Sequence, residues 1–249
     1  MKRFTSLLIV LFLLAGCSNS SVFDNQNTTE GIGIDTPDTD PACYLIQENA
    51  ENIISIPIPR TTNMSAEEIT FVQILVQEKI LAMIGEELDL IQSKESVKSK
   101  DQVYSQYRIL MKSQITYEDD THVSIIFNGL LENKSSAHPT HWLFSLNYNP
   151  QTLQTIPFSQ KHTVDKQLYL VFADLAEKAI EEECAGILPT GWESFKEPIC
   201  SEKAFLDGML AEDEFCYYMQ DTGIVISYPV PFALGNHKEV IIPYDKLEE

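Results

Sequence analysis

Near its C-terminus the chain reads "EFCYYMQ", then Asp221-Thr222-Gly223, then "IVISYPVPF". Two runs rich in β-branched and aromatic residues, joined by so short a link carrying Asp and Gly, are a good signal for an antiparallel hairpin. A parallel pairing would need a crossover of a dozen or more residues. "KEVIIPYDKL" adds a further strand beyond it. Upstream, three extended segments cover roughly 103–116, 121–131 and 141–148. They are rich in Val, Ile, Tyr and Phe and are bounded by the turn stretches "EDDT" and "NPQT". "CYLIQ" and "NIISIPIP" read as two short strands before them. Trp142, Phe144 and Tyr148 alternate along one strand, and Tyr217 and Met219 along another, so each set shares one face, the usual pattern of core packing. Trp142, at the mouth of the His-Pro loop, is equally open to a surface role.

Helical periodicity occurs twice. Ser65-Ala-Glu-Glu68 is a capping box, followed by Ile69, Val72, Val76, Ile80 and Met83 on one face. Asp165 to Glu183 carries Leu168, Val171, Phe172, Leu175 and Ala179 on its apolar stripe. Residues 91–102 read as a polar loop. The order β-β-α-β-β-β-α-β-β-β is that of an α+β fold, two amphipathic helices packed on a mostly antiparallel β-sheet. The expected domain runs over 43–249, with a division into packed subdomains 43–116 and 117–249 as one reading.

The N-terminus carries a different signal. "MKR" is a cationic start, Phe4 to Leu14 is an apolar run too short to span a bilayer, and "LLAGC" ends in Cys17. This pattern resembles a bacterial lipobox, so residues 1–16 are expected to be removed as a signal peptide and Cys17 to be lipidated, palmitate included. Ser18 follows where aspartate would imply inner-membrane retention. The expectation is an exported lipoprotein facing the extracytoplasmic side. Residues 18–42 hold five acids, no base and few bulky apolar groups, the composition of a disordered tether. Its root-mean-square reach is roughly 25–30 Å.

The whole chain carries 17 Lys and Arg against 37 Asp and Glu, a formal charge of −20. Loss of Lys2 and Arg3 with the signal peptide leaves 15 against 37, or −22. That balance opposes nucleic acid and anionic lipid and favours cationic partners, with an attraction that weakens in salt. Beyond Cys17 four cysteines remain, Cys43, Cys184, Cys200 and Cys216, and an even count in an exported chain points to two disulfides. Three pairings are open; Cys200–Cys216 and Cys43–Cys184 are the expected ones. Loops of that size would add roughly 3–4 kcal/mol each. No two cysteines sit at C-x-x-C spacing, which disfavours a metal.

Catalytic signals are sparse. The sequence has no G-x-S-x-G elbow, Walker loop, dinucleotide fingerprint or H-E-x-x-H. No catalytic residue, metal or cofactor is expected, and an enzyme is the least favoured reading. His138 and His141 stand at H-x-x-H spacing in "SSAHPTHW", but Pro139 argues against a helix. In an extended chain positions three apart point to opposite faces. The pair therefore reads as part of a shaped turn, with Trp142 at its mouth. "YPVPFALGN" (228–236) is a second candidate surface, because its two prolines cannot donate to a sheet ladder.

At these two stretches the chain resembles a known family. "SSAHPTHWLFSLNYNPQTLQTIPFSQ" is similar to a segment in which a small-residue, His-containing loop enters a strand and an Asn-Tyr turn follows. "FCYYMQDTGIVISYPVPFALGNHKEVIIPYDKL" is similar to its closing pattern of strand, Gly turn, strand, Pro-aromatic-Ala-x-Gly bend and Val-x-Ile-Pro-Tyr strand. The family is the poorly characterised exported domain found outside the membrane in RsiV-type anti-sigma factors and beside the catalytic domain of certain peptidoglycan deacetylases. The resemblance covers 43–249 and is densest over 121–249. RsiV-type members bind lysozyme. What the resemblance implies here is a lipid-anchored binding protein for a cationic envelope protein such as lysozyme, with a peptidoglycan-binding module or an uncharacterised envelope enzyme as alternatives. A lipobox stands where those factors have a transmembrane helix, and Pro139 stands where a glycine is common. The candidate contact residues are His138, Pro139, His141, Trp142, Pro231, Phe232 and Asn236.

Overall fold

The computed structural model describes residues 41, 43–48, 53–94, 107–133, 139–184, 201–211, 215–230 and 236–247. Its elements are β1 (Cys43–Glu48), β2 (Ile53–Ile58), α1 (Ala66–Lys94), β3 (Tyr107–Glu118), β4 (Val123–Asn133), β5 (Thr140–Asn149) and β6 (Gln154–Thr155). They continue with α2 (Phe158–Lys161), α3 (Lys166–Cys184), α4 (Glu202–Ala211), β7 (Cys216–Gln220), β8 (Gly223–Pro229), β9 (His237–Pro243) and a closing 3₁₀ turn (Tyr244–Lys246). The fold is α+β. Two sheets are present, a six-stranded one in the order β1-β2-β3-β4-β5-β6 and a three-stranded one in the order β7-β8-β9. All pairings are antiparallel except β2–β3, which α1 connects as a crossover.

The sequence signals account for most element ends. Ser65 Oγ accepts from the Glu68 N–H at 3.1 Å, the first half of a capping box. The reciprocal half is not made. Glu68 is buried and its carboxylate instead accepts from Tyr148 Oη at 2.7 Å and Thr61 Oγ1 at 3.4 Å, tying α1 to β5. Asp165 caps α3 through Leu168 N–H at 3.0 Å. Asp221 and Thr222 form the two-residue turn between β7 and β8.

Three expectations change. Helix α1 continues to Lys94, through residues read as loop, because nothing in "IQSK" breaks a helix. Helices α2 and α4 raise the count above two; α4 is too short for its apolar residues Phe205 and Met209 to give a clear period. A subdomain boundary at 116/117 would cut β3, whose Tyr117 and Glu118 still pair with Ser124 and Val123. The hydrophobic clusters divide later, between Tyr148 and Phe158.

Strand alternation builds both clusters. On one face of the large sheet, Ile125 pairs opposite Leu146 and Phe127 opposite Phe144, the two rings stacked at 4.8 Å. Trp142, Tyr148, Ile109 and Ile56 share that core with Val72, Val76 and Ile80 of α1. In the small sheet, Tyr217, Ile224, Ile226, Tyr228, Val240 and Ile242 face Leu168, Phe172, Ala176 and Ile180 of α3 and Phe205 and Met209 of α4.

The opposite face of the large sheet is polar where the small sheet rests on it. Ser124, Ser145 and Asn147 lie there, one register position away from the core residues. Ser145 Oγ donates to the Tyr217 carbonyl at 2.5 Å, Asn147 Nδ2 to the same oxygen at 2.7 Å, and the Met219 N–H donates to Ser124 Oγ at 3.0 Å. Among the described residues β7 pairs only with β8, so residues 217 and 219 point main-chain groups outward from the ladder. Side chains of β4 and β5 satisfy that edge, which would otherwise be open to further strand pairing.

Candidate functional site

The two stretches singled out in the sequence meet in the fold. His141 is the second residue of β5 and His237 the first of β9, and the His237 ring hydrogen-bonds the His141 main chain. Burial pushes the His237 imidazole below its ordinary value, and the charge of His141 acts the same way, while that hydrogen bond opposes both. Pro139 is exposed just before β5. Asn236 takes φ 70°, a left-handed conformation that Asn tolerates better than most residues. Its carbonyl accepts from Val230 N–H at 2.7 Å, bringing the ends of the intervening segment together. His138, Pro231 and Phe232 lie outside the described residues, as do Cys17 and all of the tether but Pro41.

Trp142 is corrected. It is 5% exposed and packs in the large-sheet core, so it is not a contact residue. Its strand alternation places it on the α1 side, while His141 falls on the other.

The cysteine expectation is corrected as well. Cys43 and Cys216 are both thiols in the structure, so neither expected bridge forms. The Cys184 side chain and Cys200 lie outside the described residues. Gln73 Nε2 donates to Cys43 Sγ at 3.2 Å. At Cys216 burial pushes the thiol up to about 12, and the Glu239 carboxylate acts in the same direction. A thiol held protonated in this way is a poor partner for disulfide exchange, which proceeds through the thiolate.

Around His237 the exposed edge of the small sheet carries groups that the motif search missed. Glu239, two residues along β9, is exposed and accepts from Tyr218 Oη at 3.0 Å. Desolvation raises the Glu239 carboxyl, and the hydrogen bond from Tyr218 opposes it. The Tyr218 hydroxyl is raised by burial and then by the Glu239 charge. Period-two alternation within "HKEVIIP" is the only signal that puts His237 and Glu239 on one face, and nothing in it says what that face meets.

A second polar cluster lies at the sheet junction. His122, Ser124 and Asn147 are all buried, and Ser124 Oγ is 3.3 Å from His122 Nε2. A serine beside a histidine is the geometry of an activated nucleophile. Here Ser124 is 0% exposed and its hydroxyl is taken up by Asn147 and by β7, so the trio is a structural joint. Asn147→Ala should cost about 1–3 kcal/mol, because it strips the Tyr217 carbonyl and Ser124 of a partner in a dry seam. Equilibrium urea unfolding of the variant checks this.

Among the described residues no group of three or more His, Cys, Asp or Glu is placed to hold a metal ion, and no described helix is long and apolar enough to cross a membrane.

No protein-family model matches the sequence, and no curated protein matches it. Two solved structures resemble the chain over most of its length. One is a member of the DUF3298 family from Bacteroides fragilis, 13% identical, covering 85% of this chain and 94% of that one at a TM-score of 0.39. The other is a DUF3298 family protein from Pseudomonas aeruginosa, also 13% identical, covering 84% of this chain and 88% of that one at 0.43. At that identity and TM-score the likeness extends to neither activity nor partner.

Proposed function

We propose that this chain is a lipid-anchored extracytoplasmic binding protein, akin to the external domain of RsiV-type factors, whose partner is a cationic envelope protein such as lysozyme. The observation that carries the reading is the meeting of His141 with His237, which sets the starts of β5 and β9 side by side. Pro139 and Glu239 are exposed and Asn236 is half-buried, on the strands and turns that flank this meeting point. The formal charge of −20 supplies attraction toward a basic partner, acting mainly on the association rate. A protonated Cys216 thiol beside Glu239 suits a packing role better than a nucleophilic one. A peptidoglycan-binding surface needs exposed aromatics for sugar stacking, and Trp142 does not supply one because its indole is buried.

Capture of purified lysozyme by the full chain, repeated across salt concentrations, tests the proposal. A complex is expected at low ionic strength that weakens as salt rises. Glu239→Lys should reduce the affinity by about a few-fold, the scale of one exposed charge pair. No complex with lysozyme or any other basic envelope protein at low salt would end the reading.

A further inference from the structure

The turn between β3 and β4 delivers one histidine into the seam between the sheets. Asp119 organises that turn: its Oδ1 accepts from Thr121 N–H at 2.7 Å, Thr121 Oγ1 at 2.9 Å and His122 N–H at 2.8 Å, and its Oδ2 from Tyr117 Oη at 2.7 Å. His122 is thereby held at 1% exposure, with Nε2 3.4 Å from Asn147 Oδ1 and 3.3 Å from Ser124 Oγ. Its Nδ1 is buried without a hydrogen-bond partner.

The neighbours determine where the imidazole proton sits. Ser124 has one hydroxyl hydrogen and gives it to Asn147 Oδ1. Its oxygen already accepts from the Met219 N–H. Toward His122 that oxygen, like Asn147 Oδ1, can only accept again, so Nε2 must carry the hydrogen and Nδ1 must be bare. A second proton could go only to Nδ1, where no acceptor awaits it.

We propose that His122 is an acid-sensitive clasp whose protonation frees the β7 edge from the large sheet. The bonds in question are those that bind Tyr217 and Met219 to Asn147 and Ser124, and the imidazole is the one titratable member of that network.

Taken together, the surroundings disfavour an imidazolium. From β3 the Tyr117 ring meets the imidazole edge-on at 5.9 Å. From the turn, the Asp119 carboxylate favours the charged form, but four donors already occupy it, and they hold it at about 2 although burial alone would raise it. From the last residue of α2 and the one that follows it, Lys161 and His162 oppose a further positive charge. β4, β5 and β7 contribute only neutral groups, Ser124, main chain and Asn147, whose hydrogen bond favours the charged form. Burial, the largest influence, holds His122 below its ordinary value.

The sign follows from proton binding. The closed seam keeps the imidazole neutral, while an opened one lets it regain the ordinary value of about 6.5. The open form therefore binds more protons below that pH. The clasp is fully shut above about pH 6.5, and its opening equilibrium grows by up to about tenfold per pH unit below it.

Hydrogen exchange of the Met219 amide in the full chain, measured by NMR from pH 8 to pH 5 and corrected for the intrinsic rate, reads this directly. Protection should be constant above pH 7 and fall by up to about tenfold per unit below 6.5. His122→Gln keeps a donor without a titration and should flatten the profile. His162→Gln, outside the network, should leave the fall in place. A flat profile in the unaltered chain, or the same fall in His122→Gln, overturns the proposal. If His122→Gln fails to fold, the ring titration of the unaltered chain decides. A His122 ring that takes its proton at or above 6.5 while Met219 stays protected also overturns it.

Discussion

Replacing Gly129 by alanine should cost about 3 kcal/mol or more and disturb the β3–β4 ladder. A Cβ at this position would press into the Leu110 carbonyl oxygen, well inside van der Waals contact, and lie 2.6 Å from Met111 Cα. Both obstacles are main chain of the neighbouring strand, so no rotamer change relieves them. Relief needs β3 and β4 to move apart in the middle of their longest run of pairs, Tyr107 to Ile115 against Asn133 to Ile125. The same strands carry Ile109, Met111, Ile125 and Phe127 into the large-sheet core, so displacement there loosens the packing against α1. Thermal unfolding should show a lowered midpoint, and Met111 and Gly129 amides should exchange faster than those of β8. An alanine variant of unchanged stability would mean that the two strands are not this close.

Phe172→Ala should be the most damaging single truncation in the second core, costing about 3–5 kcal/mol. Phe172 is fully buried on α3, stacks on Phe205 at 4.5 Å, and meets Phe215 at 6.0 Å and Tyr228 at 5.2 Å edge-on. It thus joins α3, α4, the entry to β7 and the middle of the small sheet in one contact. Removing it leaves a hole lined by three aromatic rings whose own backbones belong to different elements, so collapse to fill it is difficult. By comparison, Ala176 one turn further on contributes little volume, and its neighbours would not be left unsupported. Urea denaturation should resolve the loss, and the β7–β9 amides should lose protection before those of β3–β5. Equal loss in both sheets would mean that the two cores unfold as a single unit.

The local features of this fold were legible because they depend on neighbours in sequence. Ser65 caps the helix that its own next three residues begin. Asp165 does the same for α3. Asp221 and Thr222 turn a chain whose flanks were already committed to strands, and the alternation of Trp142, Phe144 and Tyr148 placed all three on the buried face. That same alternation ruled Trp142 out as a contact residue, once it was plain which face α1 covered.

The candidate site was only half legible. His141 drew notice for its place beside Pro139, yet its partner His237 lies 96 positions away and stands in no motif. Glu239 looked like one acid among 37. Cys216 was counted toward a disulfide because cysteine number and export suggest oxidation, whereas its reactivity is set by burial and by Glu239, neither of which spacing reveals. His122, Ser124 and Asn147 looked like scattered polar residues in or beside strands. They became a network when β7, some 70 to 95 positions later, laid its unpaired edge across them.

By itself, the sequence determined the two long helices and most of the strands, the hairpin, the helix caps and the acidic balance of the chain. These follow from dihedral preference, side-chain period and charge, all local or additive quantities. The tertiary structure alone decided that the strands divide into two sheets with separate cores, that one sheet's edge is satisfied by the other's polar face, and which histidine meets which. Those outcomes turn on hydrogen-bond satisfaction and exclusion of water between groups far apart in the chain, and such groups acquire their chemistry only on contact.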